Sequence, residues 1–392
     1  MIYRSLTQKI TSDLAFFPIV AVVGPRQTGK TTLASVLELP DDKQFLYLDL
    51  EWEEDRIRLT SDAGAYLLQN EHKCVIIDEV QILPGLFPIL RSLVDRKREA
   101  ARFMLLGSAS PELLRNSAES LAGRIAYHEL TPFLLSEIWD AQVLRKHWFR
   151  GGFPNAFLAP DDELAKNWLQ QFTTTFIERD LVQVIGKEAN AGSMLRFMRM
   201  LGHLHGQILN ASDISRNLNI ATQTVSRYLD LLETAFLIRR LEPYYVNMGK
   251  RLIKSPKFYY RDSGIYHSIT RIRSMEELYT HPGLGASWEG YVIEEIYRTA
   301  GKNCEYFYYR TVQGAEVDLV LLTPKNEKVC IEIKHDNIPS VSKGFFNSLK
   351  DLNPDYSFVI TPEATSYQRS DGVYITNIRD FLHKYLPDMC NG

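Results

Sequence analysis

IVAVVGPRQTGKTT, residues 19–32, decides the fold: five apolar residues in succession, a loop with glycine at 24 and 29, then Lys30, Thr31 and Thr32. An unbroken apolar run is what a strand buried on both faces of a parallel sheet needs. A G-x-x-x-x-G-K-[ST] loop that leaves such a strand and opens a helix at Thr32 is suited to curl around phosphates. Gly24 and Gly29 let the backbone turn its N–H groups inward. Gly24, Pro25, Arg26, Gln27, Thr28, Gly29, Lys30, Thr31 and Thr32 therefore form the expected ATP cradle. Lys30 is expected to reach the β- and γ-phosphates, and the Thr31 hydroxyl to bind Mg²⁺.

Outward from this loop, FLYLDL (45–50), CVIID (74–78), RFMLLG (102–107) and RIAYHEL (124–130) repeat the buried-strand pattern between helical stretches. Five such strands predict a doubly wound α/β domain over residues 1–135. CVIIDE (74–79) would deliver Asp78 to the Mg²⁺ shell and Glu79 to the attacking water. LLGSAS (105–110) offers Ser108 and Ser110 at the ligand-binding edge of the sheet. Ser108 is the candidate γ-phosphate sensor, against a plain helix-capping role. Arg124 reads either as an arginine finger reaching across a subunit boundary or as an ordinary surface arginine.

Residues 136–245 read as a helical lid and a helix-turn-helix. Gly151-Gly152 marks a break, residues 168–185 carry helical spacing, and residues 212–232 give two short helices turning at Asn219, followed by the strand-like wing FLIRRLEPYYV (236–246). Thr222, Gln223, Thr224 and Arg227 fall on the exposed side of the second helix, as groove-reading residues would. From Arg227 to Arg273 ten lysines and arginines stand against four acids, an excess of six, with Tyr244, Tyr245, Tyr259, Tyr260 and Tyr266 interleaved. Such a stretch binds phosphates and stacks bases, or else is a packing module with core aromatics.

Residues 246–392 restart an α/β pattern, with a helix at 288–300 and strands at 305–311, 316–322, 328–334, 356–360 and 372–376. Asp318 on one predicted strand and Glu332 with Lys334 on the next form a layout for metal-assisted phosphodiester hydrolysis, completed by Glu289 or Glu294 from the helix. The same residues also suit solvated strand faces.

GPRQTGKT, VIIDEVQ (75–81), LLGSAS, SLAGRI (120–125) and ELTPFLLSE (129–137) together resemble a widespread bacterial and archaeal family of predicted AAA+ ATPases. That family carries a C-terminal restriction-endonuclease-like domain of undefined function. The likeness covers nearly the whole chain. It implies a five-strand parallel ATPase core and a winged helix-turn-helix middle, and supplies no substrate. The C-terminal set resembles the PD-(D/E)xK nuclease core, with Asp318, Glu332 and Lys334 at its D…ExK positions and Glu289 as its helical acid. Val317 stands where that pattern usually has proline.

The 392 residues, 45% apolar and 24% charged, suit two or three globular domains. A formal net charge of −3 means that DNA attraction must come from a local patch. Cys74, Cys304, Cys330 and Cys390 lack metal-type spacing and fit a reducing compartment. The N-terminal apolar stretch is broken by Pro18, and no run approaches the roughly 20 residues of a membrane span, so a cytoplasmic protein without a membrane partner is expected. The resulting expectation is Mg²⁺-dependent ATP hydrolysis coupled to DNA binding, with DNA cleavage open and homo-oligomerisation implied by an Arg124 finger. The alternative is a regulatory ATPase that binds a protein partner and keeps an inactive nuclease-like domain.

Overall fold

The computed structural model describes residues 2–40, 43–108, 121–140, 143–177, 191–245, 253–336 and 340–390. Ser110, the 178–185 part of the expected lid helix, and Lys250 and Arg251 of the basic stretch lie outside the described residues. The chain divides into two compact units, Met1–Phe133 with Thr234–Phe236, and Leu134–Glu233 with Leu237–Gly392.

In the first unit, strands β1 (Ile19–Val23), β2 (Phe45–Asp49), β3 (Cys74–Asp78), β4 (Phe103–Gly107) and β5 (Ile125–Glu129) form one parallel sheet in the order β2-β3-β4-β1-β5. Strand alternation sends Ile19, Ala21 and Val23 into a core with Leu59, Leu67 and Leu90 from helices α3 (Glu53–Gln69) and α4 (Leu86–Arg96). Val20 and Val22 point the other way, to Ile10, Leu14 and Leu33 from α1 (Leu6–Leu14) and α2 (Lys30–Ala34). Helices on both faces of a parallel sheet make the expected doubly wound α/β core. The uniform burial expected of all five strands holds for β1, β3 and β4 only. β2 and β5 end the sheet with a neighbour on one side, and most of their residues are half-buried.

In the second unit, α5 (Asp162–Thr175) and α6 (Ala191–His203) precede two shorter helices, α7 (Ala211–Leu218) and α8 (Thr222–Thr234). Asn219 between them takes the left-handed conformation (φ 52°), which asparagine tolerates better than most residues. Asn210 caps α7 by accepting from the amides of Ser212 and Asp213. An antiparallel sheet β6-β8-β7 accompanies them, built from β6 (Gln207–Ile208), β7 (Ile238–Leu241) and β8 (Lys257–Tyr260). The strand expected over 236–246 is limited to Ile238–Leu241, since Pro243 has no N–H for a ladder. β8 lies past residue 245 yet pairs with β7.

After α9 (Ser263–Thr270) and the long helix α10 (Leu284–Ala300), a mixed six-stranded sheet completes this unit. Its strands are β9 (Glu305–Arg310), β10 (Glu316–Leu322), β11 (Lys328–Ile333), β12 (Tyr356–Thr361), β13 (Tyr367–Gln368) and β14 (Tyr374–Asn377), in the order β13-β14-β12-β11-β10-β9. β9-β10-β11 pair antiparallel and β11-β12-β14 parallel. Phe345 and Leu352 of α11 (Lys343–Leu352) pack on Val317, Val320, Cys330 and Val359. The β9–β10 register slips between Val317 and Val320, a bulge at Asp318-Leu319 that re-aims the Asp318 side chain. Among the described residues no helix is long and apolar enough to cross a membrane.

Candidate functional site

Parallel strands present ligand-binding loops at their carboxyl edge. That edge collects Gly24 after β1, Asp78 and Glu79 at the end of β3, and Ser108 after β4. Gly24 runs at φ 150° with the Leu130 backbone so near that an added Cβ would stand 2.2 Å from the Leu130 oxygen. Gly29 (φ 90°) precedes α2, and Gln27 also takes positive φ (61°). The curl is locked from inside: the buried Thr28 hydroxyl donates to the Pro25 carbonyl at 3.0 Å. Arg4, for which no motif gave a signal, donates to the carbonyls of Thr28 (3.0 Å) and Thr131 (2.6 Å) and so braces the loop from behind. Arg26 reaches Glu51 at 3.5 Å, and Thr31 and Thr32 open to solvent at the mouth.

The Lys30 ammonium is buried and donates to the carbonyls of Gly24 (3.1 Å) and Pro25 (2.9 Å). Burial pulls its pKa below the usual lysine value, with Glu79 and Asp78 opposing the shift. A buried cation resting on neutral carbonyls has charge to give to an anion entering the loop. Thr31 Oγ1 donates to Asp78 Oδ2 at 2.7 Å, so a hydroxyl and a carboxylate already share one spot at the loop's edge. This oxygen-donor pair fits Mg²⁺, which typically takes one or two protein ligands beside phosphate oxygens and water. Tyr47 of β2, missed from sequence, donates to the same Asp78 oxygen at 2.7 Å, and burial together with that bond raises its pKa.

Glu79 holds a left-handed backbone (φ 51°, ψ 44°), a conformation that costs a non-glycine residue and concentrates at functional sites. Its carboxylate accepts from Ser108 Oγ at 3.0 Å and from Gln81, whose amide also donates to Ser108 at 3.0 Å. Ser108 thus lies where a γ-phosphate sensor was expected. Gln81, passed over two positions beyond the DE pair, completes the triangle.

Arg124 is elsewhere. Its backbone oxygen pairs with Ile19 N at the start of β1, at the opposite edge of the sheet from the loop and about 15 Å from it at the usual strand rise. Its side chain donates to Asp95 at 2.6 Å. This placement speaks against a finger for its own nucleotide and leaves two readings, a finger in trans or a surface arginine paired with Asp95.

In the second unit, Asp318, Glu332, Lys334 and Glu289 come near one another, but a residue absent from the expectation stands among them. Lys257 of β8, 2% exposed, donates to Glu289 (3.0 Å) and Glu316 (2.8 Å), with Asp318 at 3.9 Å. Tyr259 adds a hydrogen bond to Glu289, and Asp318 accepts from the Ile333 amide at 2.8 Å. Lys334 pairs with Glu332 at 2.8 Å. Burial works against the Lys257 ammonium, yet Glu289 and its neighbours hold its pKa well above the usual lysine value. Burial and Glu289 raise Asp318, against Lys257. The cation in this set is an amine, and among the described residues no group of three or more His, Cys, Asp or Glu is placed to hold a metal ion. The residues as arranged do not fit the expected metal. Glu294, the other helical acid considered, is bound by Arg239, Arg261 and Arg298, which outweigh its burial and hold its pKa down at about 2.

Thr222, Gln223 and Arg227 are exposed and Thr224 half-buried on α8, with Val225, Tyr228, Leu229 and Leu232 turned inward. The basic stretch is less of a surface than its sequence implied. Arg239 and Arg261 are spent on Glu294, Arg240 on Glu233, and Lys257 on the carboxylate set. Tyr259, Tyr260 and Tyr266 are no more than 2% exposed and cannot stack bases, because the strand and helix that carry them are core.

The first unit's sheet order and phosphate loop define a P-loop ATPase domain of the AAA type. Family profiles agree and tile the chain: an AAA domain over residues 17–139, a domain of unknown function (DUF8612) over 141–276 and another (DUF4143) over 284–381. The uncharacterized protein Rv2008c of Mycobacterium tuberculosis is 39% identical over 94% of this chain and 82% of its own length. The chain belongs to the same family as Rv2008c, a family of AAA-domain proteins. The uncharacterized protein MJ1544 of Methanocaldococcus jannaschii is 23% identical over 86% of this chain and 80% of its own. Among solved structures, the Walker-type ATPase paby2304 of Pyrococcus abyssi aligns at 15% identity and a TM-score of 0.48, covering 69% of this chain and 96% of that one.

Proposed function

We propose that this protein hydrolyses ATP with Mg²⁺ and uses the nucleotide cycle to control a DNA contact made by α8. The observation that carries the ATPase reading is the pairing of Thr31 with Asp78 at 2.7 Å, beside a Glu79 oriented by Ser108 and Gln81. Lys30 would exchange its two carbonyl contacts for β- and γ-phosphate oxygens. Thr31 and Asp78 would hold Mg²⁺, which neutralises charge on those oxygens when bound. Glu79 would accept a hydrogen bond from the attacking water, and Ser108 would keep that carboxylate aimed while sensing the γ-phosphate. The remaining loop residues, Gly24 to Gly29 and Thr32, would line the phosphates with backbone N–H groups.

The helix-turn-helix formed by α7 and α8, with β6, β7 and β8 as its winged sheet, supports the DNA reading, Thr222, Gln223, Thr224 and Arg227 being the residues offered to a groove. The helix–three-strand–helix–strand order from α10 to β12 supports a restriction-endonuclease-like C-terminal domain. The three profile matches support a division into ATPase, helix-turn-helix and C-terminal segments. For the C-terminal segment the observation of Lys257 among the carboxylates favours the second reading, a domain that does not cut DNA.

ATP turnover with and without Mg²⁺ and duplex DNA, beside Lys30→Ala, tests the first reading. Nicking of supercoiled plasmid in Mg²⁺ or Mn²⁺, beside Asp318→Ala, tests the second. Nicking that Asp318→Ala abolishes would overturn the non-cleaving assignment.

A further inference from the structure

We propose that the groove bounded by α5, α6 and α9 in the second unit is a phosphate-binding site, separate from both the nucleotide loop and α8. The groove has a volume of about 370 Å³ and is bordered by Lys166, Arg199, Arg271 and Arg273, with no acidic residue in its lining among the described residues. Ile269 and Ile272 are buried at its floor. The three arginines are exposed, and among the described residues none of their side chains has an ion-pair partner. Lys166 donates to the Arg273 carbonyl at 2.8 Å, which ties the α5 side of the groove to the α9 side.

Several other arginines of this unit are matched to acids: Arg150 with Asp162 at 2.6 Å, Arg240 with Glu233, and Arg239, Arg261 and Arg298 with Glu294. Four cations around one concavity, none of them matched to an acid among the described residues, concentrate positive charge locally in a chain of net charge −3. The carbonyl end of α9 does not cancel them, because the amides of Arg271 and Ile272 take the Ser268 and His267 oxygens. Of the acids that follow Arg273 in the chain, Glu277 is turned to the Arg273 amide at 2.8 Å, and Glu276 accepts from Ser274 and its own amide. Thr173 and Thr174 donate their hydroxyls to their own helix, so recognition falls to the guanidinium forks, whose planar geometry suits phosphate oxygens two at a time. A phosphodiester of DNA and the phosphates of a free nucleotide share this chemistry.

Two arms separate the sources, both on the full-length chain. In the first, a fluorescein-labelled 20-base-pair duplex is titrated by anisotropy against wild type and Arg199→Gln/Arg271→Gln across a salt series. Occupancy by DNA predicts about a tenfold loss of affinity or more and a salt slope shallower by about 0.9 for each phosphate contact removed. In the second, ATP is titrated calorimetrically into Lys30→Ala, which silences the nucleotide loop, and into Lys30→Ala/Arg199→Gln/Arg271→Gln. Occupancy by a nucleotide predicts binding in the first protein that the second loses. Should the double substitution lower the melting temperature, Arg199→Gln alone, at an exposed and unpaired position, carries both arms. Duplex affinity and salt slope unchanged, together with no ATP binding attributable to the groove, would overturn the proposal.

Discussion

At the scale of single residues, the loop and the end of β3 set what the site can do. Glu79 sits in a left-handed conformation and accepts from two donors, so Glu79→Gln should keep the fold and nucleotide binding while turnover falls by about a hundredfold or more. Steady-state hydrolysis alongside nucleotide titration checks this, and retained turnover would remove Glu79 from the role. Gly24→Ala must push a methyl group against Leu130, at a backbone angle that side chains rarely adopt. It should abolish ATP binding and lower the melting temperature. Gly24, Lys30, Thr31, Asp78 and Glu79 were legible in the sequence because the motif and its spacing are the geometry. Tyr47 and Gln81 were not, since their placement depends on which strand lies beside β3 and how the chain leaves it.

At the scale of elements, strand order explains what sequence periodicity could not. A run such as FLYLD reads as buried, yet β2 is an edge, and edges are assigned by topology. β8 shows the same limit more sharply: its Lys257 looked like part of a basic surface and is instead the buried counter-ion of Glu289 and Glu316. Lys257→Met would leave those carboxylates unmatched, a loss of about 3–5 kcal/mol by analogy with other broken buried pairs. Thermal melting checks it, and an unchanged midpoint would show that the lysine is dispensable.

Helix α10 carries a second buried acid, Glu295, which accepts from the Leu135 amide at 2.8 Å. Burial lifts its pKa to about 7, with Arg298 and that amide only partly offsetting the shift. Because the folded value lies above the ordinary 4.5, the contribution of this group to stability is complete below about pH 4.5 and is lost as pH rises through 7. Glu295→Gln, which can still accept the amide, should therefore raise the melting temperature by about 2–4 °C at pH 8 and leave it unchanged at pH 4.5. An equal shift at both pH values would contradict the assignment.

At the scale of the whole molecule, the sequence disclosed an ATPase core, a helical middle and a C-terminal α/β segment because each carries its own periodicity. It could not disclose how charge is distributed between them. Arg239, Lys257 and Arg261 are neutralised by acids far away in sequence and Arg240 by the nearby Glu233, whereas among the described residues Arg199, Arg271 and Arg273 remain without an acid and face one groove. A finger role for Arg124, at the end of the sheet opposite the loop, would require a second chain and predicts turnover that rises with protein concentration, whereas a surface arginine paired with Asp95 predicts no such rise.

The most direct measurement is the ATP hydrolysis rate of the purified full-length chain in Mg²⁺, with and without duplex DNA, against Lys30→Ala and Glu79→Gln. Coupling of the ATPase to DNA through α8 predicts Mg²⁺-dependent turnover that duplex DNA changes and that both substitutions abolish. Turnover that survives in Lys30→Ala and Glu79→Gln, or that ignores both Mg²⁺ and DNA, would contradict it.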